Sequence, residues 1–290
     1  MNVGDERSRS FWMDDWPAID ASPLLQDAAC DVVVVGSGIA GLSTAYELAR
    51  LGRSVIVIDR GRIGFGMTAR TTAHLATELD DFYSELIRVR GEEEARLYHD
   101  SQVAAINRIE AICRDEGLDA DFARIDGYLV AAEEAHRADL EEEYQACRAI
   151  GAAVEWAERA PVPGIDTGMA LRFPGQARFH PGKYLAGLAR AIQARGGRLF
   201  ADTVHVSDRE TEEGVEITTE GGPVVRAGAA VFATNSPTND KVAIHPKQTP
   251  DRTYVIAGRV PAGSVPDVLL WDSYEAYHGH YILDVLDSLG

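Results

Sequence analysis

The sequence predicts an α/β fold in which a parallel sheet is interleaved with a second domain of α+β type. Three observations carry this. A valine run, Asp31-Val-Val-Val-Val, leads through Gly36-Ser-Gly38-Ile39-Ala40-Gly41 into a helical segment. A second apolar run, Val55-Ile-Val-Ile, ends in Asp59-Arg60. A helix–strand–helix region then intervenes before short strands return near residue 198.

Each part of the first unit has a mechanical job. The valines suit a strand buried on both faces of a parallel sheet. Gly36 permits the tight turn out of that strand, Gly38 leaves room for a pyrophosphate to reach the backbone, and Gly41 lets the helix pack close to the strand. The helix start offers N–H groups and a partial positive charge to phosphate. Gly52 fits the left-handed residue that ends the helix. Asp59, closing the second strand, is placed to hold ribose hydroxyls. Together these residues predict a Rossmann-type dinucleotide site, which a lone glycine motif would not.

The remaining elements follow in order. Residues 1–29, with Trp12, Trp16 and prolines, form an arm across the first domain. Gly61–Thr77 is a loop rich in glycine, threonine and arginine. Residues 81–116 carry helical spacing, with Leu86, Leu97, Val103, Ile106, Ile109 and Ile112 as an apolar stripe. Phe122–Ala131 reads as a strand, Glu133–Ile150 as a helix ended by Gly151, and Val154–Glu158 as a short strand. Ala170–His180 is extended. Pro181 starts a helix, where its missing N–H costs nothing, and Gly196-Gly197 ends it. Strands are expected over 198–206, 215–219 and 224–227, with a buried strand over Ala229–Thr234 and a further one over Lys247–Val260. The nucleotide domain is then discontinuous, 1–80 and 178–246, and residues 81–177 with 247–290 form the second domain.

Composition narrows the partners. The chain has 290 residues, 46% of them hydrophobic, and a net charge of −18. Such a charge repels nucleic acid and anionic membranes. The acidic runs Gly91–Ala95 and Asp139–Glu143 read as solvated helix faces. Cys30, Cys113 and Cys147 form neither a pair nor a metal spacing, and their sparseness fits a reducing cytoplasm. No apolar run approaches a membrane span.

The β-α-β unit alone does not separate NAD from FAD. Three features favour FAD. Arg60 follows the acid directly and can stack on adenine or pair with phosphate. The loop Arg62-Ile-Gly64-Phe-Gly66-Met-Thr68-Ala-Arg70-Thr71-Thr72 suits a long extended ligand, with glycines for backbone approach and hydroxyls and Arg70 for phosphate and ribityl contacts. Ala229-Ala-Val-Phe-Ala233-Thr234-Asn235 resembles the small-residue strand beneath the flavin chain in FAD enzymes. Together these stretches resemble the glycine/D-amino-acid-oxidase-like family of FAD-dependent oxidoreductases, in the manner of bacterial members that often carry a C-terminal Rieske domain. Leu171–Leu185 resembles that family's crossover into a long helix. Asp202-Thr-Val204 resembles its strand whose valine backbone meets adenine. The resemblance implies FAD as cofactor, an α+β substrate domain, and hydride transfer from the carbon beside an amine or amino-acid nitrogen. It marks Gly36, Gly38, Ile39, Ala40, Gly41, Asp59, Arg60, Gly66, Thr68, Arg70, Thr71, Thr72, Val204, Ala233 and Thr234 as cofactor-binding.

The sequence also departs from that family. Members continue well past Trp271, through a glycine-rich loop and a helix whose start faces the flavin ring. Nothing here matches that loop, and no Rieske ligand pattern is present. The expectation is a partial substrate domain and weak FAD retention. A flavoprotein fragment without turnover and an NAD-dependent dehydrogenase are the alternatives. No catalytic set such as Ser-His-Asp is apparent, as expected where the cofactor carries the hydride. His74 falls near the expected ring position or caps the following helix. His180 neighbours a helix N-cap. Arg252 and Tyr254 begin a strand toward the substrate side. His278 and His280 lack a third ligand, so no metal site is expected.

Overall fold

The computed structural model describes residues 9–131, 136–236, 255, 257–273 and 279–282. In chain order the elements are β1 (Ala28–Val35), α1 (Ile39–Arg50), β2 (Val55–Ile58), β3 (His74–Leu75), α2 (Tyr83–Arg90), α3 (Glu92–Asp115), β4 (Ala123–Val130), α4 (Arg137–Ile150), β5 (Glu155–Ala157), β6 (Ala170–Arg178), α5 (Pro181–Ala194), β7 (Arg198–Phe200), β8 (His205–Thr211), β9 (Gly214–Thr219), β10 (Val224–Phe232), β11 (Val268–Asp272) and β12 (Gly279–Ile282). The chain forms two compact units: 1–71, 116–120 and 180–256 in the first, 72–115, 121–179 and 257–290 in the second. Residues 72–80 thus join the second unit, because β3 pairs with β6. Residues 116–120 join the first, where Glu116 binds Tyr46 and Arg195.

The first unit holds a sheet of order β7-β2-β1-β10-β9-β8. β7, β2, β1 and β10 run parallel; β9 and β8 form an antiparallel extension. Side chains alternate across the sheet, so a strand covered on both faces needs apolar residues at every position. Val33, Val35, Ile56 and Ile58 join Leu24, Ile217 and Val225 in one core, while Val34 and Val57 are buried on the opposite face. The valine run is therefore doubly buried, as its composition requires.

Three expectations change here. The strand over Ala229–Thr234 is the end of one long β10, and Ala229 and Phe232 are exposed. The reason is register: β9 pairs only with Val224–Ala227, so past Gly228 the outer edge of β10 has no strand beside it among the described residues. The strand over 198–206 is split into β7 and β8 around Asp202, whose φ is +45°. The strand over Lys247–Val260 lies largely outside the described residues, and 257–260 are not in a strand.

The second unit carries a sheet of order β12-β11-β4-β6-β3, with β5 also on β6. Its core joins Tyr83, Leu129, Leu140, Cys147, Ile150, Leu171 and Phe173. The single helix over 81–116 is two, α2 and α3, separated at Gly91 (φ +87°). The apolar stripe shifts with the break. Ala95, His99, Ile106, Ile112 and Cys113 are buried and Leu97 is 60% exposed. At 100° per residue Leu97 lies on the opposite side of α3 from Ala95. Among the described residues no helix is long and apolar enough to cross a membrane.

Candidate cofactor site

β1 lies between β2 and β10: the strand that follows it through α1 pairs on one side, and the much later β10 pairs on the other, so the strand order reverses at β1. That is a topological switch point, where open parallel sheets keep their ligand crevice at the carboxyl ends of the strands. Backbone hydrogen bonds join these ends. Gly36 N donates to Ile58 O (2.8 Å), Ala233 N to Val35 O (2.8 Å) and Asp59 N to Phe200 O (3.0 Å). The ends of β1, β2 and β10 thereby place Gly36, Asp59 and Ala233 side by side.

The bend requires bare α-carbons. Gly36 has φ +104°, and a Cβ there would sit 2.4 Å from Ala233 O. A Cβ at Gly41 would sit 1.9 Å from Gly36 O, so α1 approaches the strand turn only because Gly41 lacks one. Thr234 stands next to this contact, its hydroxyl donating to Ser236 O. α1 starts at Gly38 without a side-chain cap and with no acid in its first turn. Its first amide, Ile39 N, donates to Thr68 Oγ1 at 3.1 Å. Ala40, in the same turn, is exposed. The positive end of the helix thus meets a neutral hydroxyl at its first amide, with no acidic residue in its first turn.

Asp59 points into the bend. Its Oδ2 accepts from Ser37 N (2.8 Å) and Ser37 Oγ (2.5 Å), and its Oδ1 from Gly61 N (3.0 Å). Ser37 Oγ also accepts from Gly64 N at 2.9 Å. A carboxylate offers about four acceptor positions. Among the described residues three are used, which leaves one, on Oδ1. Ser37 is buried and links the acid to the next loop. Sequence reasoning passed over it; a hydroxyl between two glycines, opposite an acid, was the available signal.

The loop supplies the other expected residues. Gly66 begins a short 3-10 helix over Met67–Arg70, and Gly66 O accepts from Ala69 N and, at 3.4 Å, from Arg70 Nη1. Thr71 O accepts from Trp12 Nε1 (2.8 Å). Arg60 is exposed beside Asp59. Val204 follows Thr203, whose N–H donates to Asp59 O (2.7 Å), and Val204 O accepts from Glu220 N. Thr72 falls in the second unit, where its hydroxyl shares a hydrogen bond with His74 Nδ1 (2.8 Å). His74 lies on β3, and burial lowers its pKa. His180 is itself the cap of α5, its Nδ1 accepting from Lys183 N, rather than a neighbour of the cap. Arg252, Tyr254 and His278 lie outside the described residues, as does the side chain of His280.

The acidic run Asp139–Glu143 is not wholly a solvated face: Glu143 is 2% exposed. Its Oε1 accepts from Tyr83 N (2.8 Å) and its Oε2 from Ser84 N (2.9 Å). It caps α2 from α4, where Phe82, the residue at the helix start, has no capping group of its own. Nearby, Glu78 Oε1 accepts from Thr77 Oγ1 at 2.8 Å. Burial pushes its pKa up to about 7, and the Glu143 charge adds to the rise.

A family model described as DAO, FAD dependent oxidoreductase, matches residues 31–287. The putative Rieske 2Fe-2S iron-sulfur protein YhfW of Bacillus subtilis (strain 168) is 31% identical over 255 residues, 87% of this chain and 49% of that protein. Gamma-glutamylputrescine oxidoreductase of Escherichia coli (strain K12) is 27% identical over 269 residues, 90% of this chain and 62% of that one. The crystal structure of glycine oxidase from Geobacillus kaustophilus matches with a TM-score of 0.60 at 24% identity, over 71% of this chain and 55% of its own, a likeness of fold. The chain spans about half the length of the first of these relatives. The family expected from the motifs, and its α/β fold, are thereby established: the chain belongs to the DAO family of FAD-dependent oxidoreductases.

Proposed function

We propose that the first unit binds FAD across the Gly36–Gly41 bend and that the protein oxidises the C–N bond of an amine or amino acid. One observation carries the cofactor part. A carboxylate, Asp59, is turned into a glycine bend beneath a helix start whose first turn holds no acidic residue. The bend fits a dinucleotide because its glycines leave backbone in reach, and because the free acceptor on Asp59 Oδ1 matches one ribose hydroxyl.

FAD, when bound, supplies the hydride acceptor. The chain's residues bind and orient. The α1 amides and dipole face the pyrophosphate. Asp59 orients the adenosine ribose, and Ser37 keeps that carboxylate aimed by donating to it. Thr68, Arg70 and Thr71 line the loop along the ligand, with Arg60, Val204, Ala233 and Thr234 around the strand ends, and Thr72 begins the second unit. The substrate gives up a hydride from carbon and a proton from nitrogen, and water hydrolyses the resulting imine. A neutral substrate amine needs no protein base for this. Support for the substrate class comes from relatives named for glycine and gamma-glutamylputrescine. The second unit is read as the substrate side, and cysteine usage supports a cytoplasmic setting.

Thermal scanning with FAD and with NAD tests the cofactor. At about 100 times its Kd, FAD stabilises by about 2.7 kcal/mol, a rise of about 5 °C in Tm. Asp59→Ala removes that rise. No shift with FAD, or a shift with NAD in its place, overturns the reading. Amino acids and secondary amines, tried in turn for flavin bleaching, then sort the substrate class.

A further inference from the structure

We infer that the amino-terminal segment Ser10–Trp16 is a positioning strap for the cofactor loop, an inference that rests on the FAD reading above. The strap grips that loop at both ends. Ser10 Oγ donates to Ala69 O, and Trp12 Nε1 donates to Thr71 O at 2.8 Å. Both carbonyls sit at the carboxyl end of the Met67–Arg70 turn, where a helix leaves acceptors without internal donors. At the other end, the Trp16 ring packs edge-on against Phe65 (5.7 Å, 85°) and over Gly64, whose added Cβ would sit 3.5 Å from it.

The strap is itself anchored within the same unit. Trp12 is 5% exposed and meets the His180 ring edge-on at 5.0 Å. His180 Nδ1 accepts from Lys183 N, so the neutral ring carries its proton on Nε2 and donates it to Asp15 Oδ1 at 3.0 Å. Trp16 also lies over Gly182, where a Cβ would come within 2.8 Å of the ring. One segment is thus tied to the start of α5 and to both ends of residues 64–71.

What this arrangement positions is Thr68. Its hydroxyl, midway along the gripped turn, accepts from the first amide of α1 at 3.1 Å. The order of dependence runs from strap to turn, from turn to Thr68, and from Thr68 to the helix start that faces phosphate. Ser10 and Trp12 touch no cofactor in this scheme and act through the loop. Packing alone would need the Trp12 ring but not its N–H.

The test uses the full chain and two readouts: FAD affinity, by titration of the apoprotein, and amide hydrogen exchange of residues 64–71 without FAD. Trp12→Phe keeps a ring against His180 and deletes the donor; Ser10→Ala deletes the other donor, and Ser10→Thr retains it. Expected are FAD affinities weakened about five- to tenfold in W12F and S10A. Exchange should be faster in 64–71 alone, and S10T should match the wild type. Wild-type affinity and loop exchange in both W12F and S10A overturn the strap. So does faster exchange that extends through β1 and α5, since that marks a general packing defect. Should W12F fail to fold, the contrast of S10A with S10T decides. A wild-type chain that takes up no FAD sinks the cofactor reading instead, and loop exchange then decides whether the strap holds the loop.

Discussion

Two helix starts in this molecule solve the same physical problem in opposite ways. Each exposes amides with no internal acceptor and the positive end of a dipole. α2 meets a resident anion: the buried Glu143 carboxylate binds Tyr83 N and Ser84 N, and Glu85 adds an acid in the first turn. α1 meets glycines, a neutral threonine hydroxyl and no acid in its first turn. A helix start that serves the fold is closed from inside. The α1 start, without an acid in its first turn, lies in the glycine bend proposed for FAD. In the proposed reading, the difference separates a helix start closed by the fold's own carboxylate from one kept for a ligand.

The largest test of this contrast is Gly41→Ala. Its Cβ would sit 1.9 Å from Gly36 O, a backbone atom that cannot swing aside. Overpacking together with backbone strain should cost about 4 kcal/mol and remove FAD binding. Wild-type denaturant midpoints in this variant would mean that α1 does not need its close approach.

Glu143→Ala probes the other start. Removing an acceptor shared by two amides should lower stability by about 2–3 kcal/mol, with FAD affinity of the folded protein unchanged. A parallel loss of FAD affinity would erase the distinction between the two starts.

The carboxyl beside Glu143 sharpens the picture through pH. Glu78 stays protonated up to about 7 instead of its usual 4.5, first because burial penalises its charge. Between those values the folded chain holds a proton that the unfolded chain has released. Stability therefore falls as pH rises through this window and levels above it. Glu78→Gln is already neutral, so it should gain on the wild type from about pH 5 to about pH 8, by on the order of 2 kcal/mol. His99 works with the opposite sign. Burial lowers its pKa, so the stability it contributes is present above its usual 6.5 and is lost as pH falls through the lowered value. Both chains carry His99, so their difference at each pH isolates Glu78. A constant difference in Tm across the range would show that Glu78 is ionised throughout.

The smallest expected effect is Thr68→Val, which removes the acceptor from Ile39 N. Stability should fall by about 1 kcal/mol and FAD affinity about fivefold. Equal affinities would mean that the helix start holds its ligand without help from the loop.

Much of the first unit was legible before any coordinates. Gly36, Gly41 and Asp59 stand where their residue types require, since each signals through its own backbone geometry or its place at a strand end. The polar links were less legible. Ser37 carries no signal of its own in the glycine motif, and Glu143 reads as one more solvated acid in a run. Leu97 looked buried because the break at Gly91 was not anticipated. The run over Ala229–Thr234 looked fully buried because composition does not say where a neighbouring strand stops.

By itself the sequence determined the β-α-β unit, its bare bend and the acid beyond it. Those signals are local: side-chain period, turn residues and strand ends all act within a few residues of one another. Only the tertiary structure decided that Trp12 would satisfy Thr71, 59 positions along the chain, and that Glu143 would cap α2 from 60 positions away. Such pairings are set by which elements pack together, and an orphaned amide or carbonyl takes whichever partner that packing brings within reach.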